Sequence, residues 1–184
     1  MLSLQLNPFP VLYTGRLMLK EITAADVNDL LVLRSDKKVM AYIDRPLAQS
    51  AADAMELIQT IIDGVKNNEN ITWGIALKED AVLIGTIGFW KIDAPNYRAE
   101  IGYLLHPQQQ RKGIMQEAIK SVLHYGFTTM GLHSVEANVN PANEASKNLL
   151  LKNNFVQEAH FKENYFYNGR FLDSAIFSLL APSA

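Results

Sequence analysis

Chemistry concentrates between Glu100 and Ala118, where the chain reads EIGYLLHPQQQRKGIMQEA. Ile101, Tyr103 and Leu105 alternate with Glu100, Gly102 and Leu104 in a short strand that stops at His106-Pro107. Gln108-Gln109-Gln110 and Arg111-Lys112-Gly113 follow. They lead directly into a segment whose apolar residues Met115, Ala118, Ile119, Val122, Leu123 and Gly126 recur at helical spacing. Strand, glycine-bearing loop and helix start form an anion-binding device. Unpaired N–H groups and the positive end of the helix macrodipole converge where a diphosphate fits. Gly113 has no Cβ to hold a ligand off the backbone, and Arg111 and Lys112 add charge for anionic oxygens. The plain alternative is an ordinary turn before a helix. A P-loop signature and a Rossmann glycine fingerprint are both absent.

Other reactive side chains are sparse. The four histidines, His106, His124, His133 and His160, show no metal-ligand spacing, and there is no cysteine, so no metal site is expected. His106 abuts the loop and reads either as a proton relay or as a strand-end residue bonded to the backbone. Trp73, Phe89, Trp90, Tyr97 and Tyr103 either line a cleft or fill a core. Tyr165, Phe166 and Tyr167 cannot all face one side of a strand, so part of this cluster must be exposed.

The elements that must position these residues follow from composition and periodicity. A chain of 184 residues, 48% apolar and 20% charged, is expected to form a single domain. Its 17 basic and 19 acidic residues give a net charge of −2, which argues against a general nucleic-acid or anionic-membrane binder. The start, MLSLQLNPFPVL, lacks a basic region and is broken by prolines, so it does not read as a signal peptide. No apolar run approaches the ~20 residues of a membrane span, and a cytoplasmic location is the default.

Residues 1–10 read as a loosely ordered lead-in and 14–21 as a half-buried strand. Thr23, with Asp26 three residues on, caps a helix through Arg34; Ser35 to Pro46 is irregular. Ser50 caps a second helix from Ala51 to about Lys66. Strands follow at Thr72–Leu77, Val82 to about Ile92 and Arg98–Leu105, joined as an antiparallel meander. The central helix runs from Gly113 to about Thr129. It is followed by strand Ser134–Val139, a turn at 140–143 and a helix from Glu144 or Ala145 to Asn153-Asn154. Strands at about Phe155–Tyr167 and Phe171–Leu180 meet at Asn168-Gly169, a strong hairpin signal. The expected class is mixed α/β in the order βααβββαβαββ.

That order, from about Thr14 to Leu180, resembles the GNAT superfamily of N-acetyltransferases. The pattern Gln110-x-x-Gly113-x-Met115 after a Glu-Ile-Gly-Tyr strand is similar to its acetyl-CoA pyrophosphate loop, with Met115 where a Gly or Ala is usual. Further motifs resemble the ribosomal-protein (Rim-type) N-terminal acetyltransferases. They are Thr14-Gly15-Arg16-Leu17, Ala99 to Tyr103, Gly113-Ile114 with Glu117-Ala118, Asn143-x-x-Ser146, Asn153-Asn154-Phe155, and Asn168-Gly169-x-x-x-Asp173. The resemblance implies a central, mostly antiparallel twisted sheet of about seven strands flanked by four helices.

It also implies acetyl-CoA as co-substrate, direct attack of a primary amine on the thioester, and no metal. Strands 98–105 and 134–139 would splay, leaving backbone near Leu104-Leu105 for pantetheine and the thioester oxygen. The diphosphate would fall on residues 111–115. Cofactor-binding candidates are therefore Leu104, Leu105, His106, Gln110, Arg111, Lys112, Gly113, Ile114, Met115, Asn143 and Ser146. Catalytic candidates are Glu100, Glu163 and Ser146. Glu100 reads as base or as an edge carboxylate paired with Arg98, and Glu163 as a second base or a solvated strand residue. Ser146 reads as donor to the departing thiolate, since the place where many members carry a Tyr is Leu150, or as a first-turn residue satisfying helix N–H groups. Asn143 reads as a pantetheine contact, as an N-cap, or both. The expected acceptor is a protein N-terminal α-amine, with a small-molecule amine (antibiotic, polyamine or amino acid) or a non-catalytic acyl-CoA sensor as alternatives. Partners would include neither nucleic acid nor membrane, and a homodimer stays open.

Overall fold

The computed structural model describes residue 2 and residues 4–182. Eight strands form one sheet in the order β1-β2-β3-β4-β5-β6-β8-β7. They are β1 (Leu12–Tyr13), β2 (Leu17–Lys20), β3 (Ile71–Leu77), β4 (Asp80–Asp93), β5 (Arg98–Leu105), β6 (Ser134–Val139), β7 (Val156–Tyr167) and β8 (Arg170–Leu180). Four helices flank it: α1 (Val27–Ser35), α2 (Ala51–Lys66), α3 (Ile114–Thr128) and α4 (Glu144–Lys152). The expectation of about seven strands falls one short, because β1 is a two-residue strand paired across the Thr14–Arg16 turn. So short a strand leaves no periodicity to detect.

Local chemistry explains most boundaries. The Ser50 hydroxyl accepts from the Asp53 amide at 3.3 Å while Asp53 Oδ2 accepts from the Ser50 amide at 3.1 Å, a reciprocal cap on α2. Thr23 and Asp26 make the same box one short 3₁₀ turn ahead of α1. Asn154, in the place where a glycine is usual, takes the left-handed conformation at φ 64° that ends α4, which Asn tolerates better than other side chains.

The sheet separates two apolar layers. On one face α3 lays Ile114, Met115, Ala118, Ile119 and Val122 onto Trp73, Ile87 and Phe89. On the other, Leu30 and Leu33 of α1 and Ile58 of α2 pack with Ile22, Leu83 and Leu104. The lead-in is not loosely ordered where it is described. Leu6 is buried, its amide donates to Asn68 Oδ1 at 3.0 Å, and the Pro10 carbonyl accepts from the Trp73 indole at 2.7 Å. Residues 1 and 3 lie outside the described residues.

One register decides the site. Every neighbouring pair is antiparallel except β5 and β6, which pair in parallel only at Arg98↔Ser134, Ala99↔Val135 and Glu100↔Glu136. Beyond Glu100, β5 stays on β4 as far as Leu105↔Gly85, while β6 stays on β8 as far as Val139↔Ala175. The two carboxyl ends therefore part company, and their facing edges open into a cavity.

Candidate active site

The cavity has a volume of about 620 Å³. Glu100 to Leu104 of β5, Ala137 to Val139 of β6, and Asn143 and Ser146 of α4 form one side. Arg34, Asp44, Arg45, Trp90, Asn164 and Tyr165 come from elements distant in sequence. A bulge in β4 makes Trp90 the extra residue between Phe89↔Ile101 and Lys91↔Glu100, and its ring stands 3.2 Å from where a Cβ at Gly102 would lie. A side chain at 102 would push into that ring. The aromatic set thus divides: Trp73 and Phe89 are fully buried core, whereas Trp90 and Tyr103 line the cavity.

Glu100 faces this cavity at the last parallel pair. Burial pushes its carboxyl above the usual range and the Glu136 carboxylate adds to the push, while Lys91, the Trp90 indole and Arg98 pull partly back. Arg98 forms its ion pairs with Asp93 at 3.2 Å and Glu136 at 3.6 Å, not with Glu100. Ser146 sits in the first turn of α4, where its amide donates to Asn143 Oδ1 at 3.1 Å. Asn143 is therefore the cap of α4 as well as a cavity residue.

The Ser146 hydroxyl lies 2.7 Å from the Tyr103 hydroxyl. Burial pushes the Tyr103 phenol up to about 12, so it is held protonated. Sequence offers Tyr103 as a cleft or core aromatic but not as the partner of Ser146. Leu150, in the place where a Tyr is usual, is wholly in the core, and Tyr103 brings a hydroxyl to the same neighbourhood from β5.

Glu163 is placed apart from Glu100 and Ser146. It is exposed, with φ 49°, in an irregularity of β7 where the residues from Phe161 to Tyr165 oppose only those from Ser174 to Leu172. Its amide donates to Asp173 Oδ1 at 2.9 Å, and its neighbours Asn164 and Tyr165 are the ones that line the cavity. The Tyr165 hydroxyl donates to the Asp44 carboxylate, which ties β7 to the loop after α1. Phe166 points away and meets Phe171 edge-on at 5.1 Å.

The loop of residues 106–113 lies at the end of β5. His106 Nδ1 accepts from the Gln108 amide at 3.3 Å and Gln110 Nε2 donates to the Leu105 carbonyl at 3.1 Å, so both fasten the turn. Arg111 and Gly113 are left-handed at φ 61° and 75°. Gly113 is the N-cap of α3, and the first bond back to it is Glu117 N–H to Gly113 O at 3.1 Å. The amides of Ile114, Met115 and Gln116 precede that bond and have no partner within the helix. The Ile114 and Met115 side chains are in the core. A large residue at 115 therefore turns away from the loop.

Two motifs a hundred residues apart lock this turn. Glu117 accepts from the Thr14 hydroxyl at 2.6 Å, the Arg16 amide at 2.8 Å and Arg16 Nε at 2.8 Å. Arg16 Nη1 also donates to the Lys112 carbonyl at 3.0 Å. Burial works against the Glu117 charge, but these bonds hold its carboxyl below the usual range. Among the described residues no group of three or more His, Asp or Glu is placed to hold a metal, and no helix is long and apolar enough to cross a membrane.

Comparison with known proteins matches this architecture. The family model described as "Acetyltransferase (GNAT) domain" covers residues 16–156. The uncharacterized N-acetyltransferase YoaA of Bacillus subtilis is 36% identical over 174 residues, 95% of this chain and 98% of that protein. A ribosomal-protein-serine acetyltransferase of Escherichia coli is 31% identical over 106 residues, covering 58% of this chain and 59% of its own. The crystal structure of spermidine N-acetyltransferase from Vibrio cholerae, in complex with CoA and spermine, has TM-score 0.79 and 25% identity, covering 90% of this chain and 95% of that one. This chain belongs to the GNAT acetyltransferase family. It is an enzyme that takes its acetyl group from acetyl-CoA and passes it to an amine.

Proposed function

We propose that the acceptor is the N-terminal α-amine of a protein; one relative is named a ribosomal-protein-serine acetyltransferase, an enzyme with a protein acceptor. The observation that carries this is the cavity where β5 leaves β6. It offers unpaired strand edges to an extended chain, and its acidic side chains are few. Asp44 is engaged by Tyr165, which leaves Glu100 as the carboxylate facing an amine. A polyamine, as held by the spermidine enzyme, calls for several carboxylates.

Pantetheine runs between the parted strands with Asn143 and the backbone near Leu104-Leu105 beside it. The diphosphate lies on the turn at residues 111–115, where His106 and Gln110 hold the loop and Arg111 and Lys112 face solvent. The amine nitrogen attacks the thioester carbon, the C–S bond breaks, and the electron pair leaves on sulfur. Glu100 accepts the proton from nitrogen; its raised affinity for protons suits a base, and its place in the cavity favours it over the exposed Glu163. Ser146, held by the Tyr103 phenol, donates to the departing sulfur.

The test is thiol release from acetyl-CoA with a panel of N-terminal peptides, polyamines and amino acids. Turnover with peptides supports the reading. Turnover confined to polyamines would refute it, and CoA binding without turnover on any acceptor would point to a sensor.

A further inference from the structure

The wall of the cavity formed by α1 and the loop after it carries a second chemical feature. Arg34, in the last turn of α1, is half-buried and lines the cavity together with Arg45. Among the described residues the Arg34 guanidinium has one hydrogen-bond partner, Met40 Sδ at 3.7 Å, a weak acceptor. Among the described residues the Arg45 side chain has neither a hydrogen bond nor an ion pair; its backbone N–H alone is engaged, with the Ile43 carbonyl at 2.8 Å.

Glu100 and Asp44 line the same cavity, but among the described residues neither forms an ion pair with Arg34 or Arg45. Asp44 accepts from Tyr165, and Asp36 accepts from the amides of Lys38 at 2.7 Å and Val39 at 3.0 Å. Other cations of the fold do find partners: Arg16 with Glu117, Lys20 with Asp26, Arg98 with Asp93, Lys147 with Glu144. Burial and the charge of Arg45 both act against the Arg34 cation. A half-buried cation that faces a like charge and has no ion-pair partner is costly unless something outside the chain supplies an anion. The coenzyme's diphosphate is not that anion, because the loop of residues 106–113 lies outside the lining of this cavity.

We propose that Arg34 and Arg45 form a subsite for a carboxylate carried by the acceptor close to its amine. This rests on the assignment of the cavity as the acceptor site, and it narrows the substrate class to acidic amino termini. Guanidinium groups suit this task because each presents paired N–H donors to a carboxylate. The same two charges repel a polycation, which is negative selection against polyamines.

The experiment compares a Ser-Asp-initiated peptide with its Ser-Asn counterpart, and free aspartate with its diamide, on the wild-type chain, R34Q and R45Q. The wild type should favour each acid over its amide by about tenfold in kcat/KM, the scale of one charge-assisted contact. R34Q and R45Q should bring that ratio toward one while KM for acetyl-CoA stays put. R45Q, at an exposed position, keeps the test open if R34Q fails to fold. Equal rates for acid and amide on the wild type would overturn the subsite. So would an unchanged ratio in the variants, or a loss appearing in the acetyl-CoA KM.

If aspartate is acetylated and peptides are not, with the preference still lost in R34Q, the subsite stands and the protein-terminus reading falls. If nothing turns over, calorimetric titration of both peptides into the CoA-loaded protein decides. Tighter binding of the acid, lost in R34Q, supports the subsite; equal affinity overturns it.

Discussion

The two ends of the site are built by opposite means. At the end proposed for the cofactor, the turn after β5 is fastened within itself by His106 and Gln110 and clamped from outside by Thr14 and Arg16 through Glu117. At the end proposed for the acceptor, the wall is a loop and an irregular hairpin joined by the Tyr165–Asp44 bond, with two guanidinium groups that form no ion pair among the described residues. Satisfied polar groups make a rigid surface suited to a coenzyme that never changes. Unsatisfied ones leave interaction energy for a substrate, and that is where specificity resides.

Breaking the chemistry between the two ends should have the largest effect. Glu100→Gln should lower kcat by about 10²–10⁴-fold, the range of a general base, and remove the basic limb of its pH profile. Because the Glu100 carboxyl is raised in the fold, its contribution to stability is fully present below the unfolded pKa. That contribution is lost as pH rises through the folded one. Glu100→Gln should therefore leave the Tm at pH 7 equal to or above the wild type, a difference that closes on acidification. A drop in Tm without a loss of rate would mark Glu100 as a structural residue.

Next comes the cofactor end. Gly113→Val places a β-branched residue at φ 75°. KM for acetyl-CoA should rise about tenfold or more with acceptor preference unchanged, and the strain should cost about 1–3 kcal/mol of stability. Unchanged cofactor affinity would break the contrast between the two ends.

A smaller effect belongs to the hydroxyl pair. Ser146→Ala and Tyr103→Phe should each lower kcat by about 10-fold, and the double variant should lose little more than either alone, as residues acting as one unit do. Full additivity would mean two independent roles.

Smallest is the clamp. The Glu117 carboxyl is held below its usual range, so its stabilisation is present above the unfolded pKa and lost as pH falls through the folded one. Glu117→Gln should lower Tm modestly at pH 7 and converge with the wild type below about pH 4.

The same contrast governs what could be read from sequence. The caps at Ser50 and Thr23, the Asn168-Gly169 hairpin, the face of α3 and the Gly113 turn are local, set by residues within a few positions of each other. They emerged at nearly their observed boundaries. The two-residue β1 was too short to show a period. The Tyr103–Ser146 contact joins residues 43 apart and Arg16–Glu117 residues 101 apart, so spacing alone could not pair them. Glu163 was a candidate through the family resemblance alone, and sequence does not show the irregularity at 161–165 that turns its backbone left-handed. Arg34 reads in sequence only as the end of the helix capped at Thr23, and only the tertiary fold shows that it lines the cavity beside Arg45.

A crystal structure of the chain with CoA tests the central claim most directly. The pantetheine should lie between β5 and β6 beyond Glu100, with its sulfur near Ser146 and its diphosphate on the amides of residues 111–115. A coenzyme bound elsewhere, or a turn at Gly113 that stays closed to phosphate, would contradict the account.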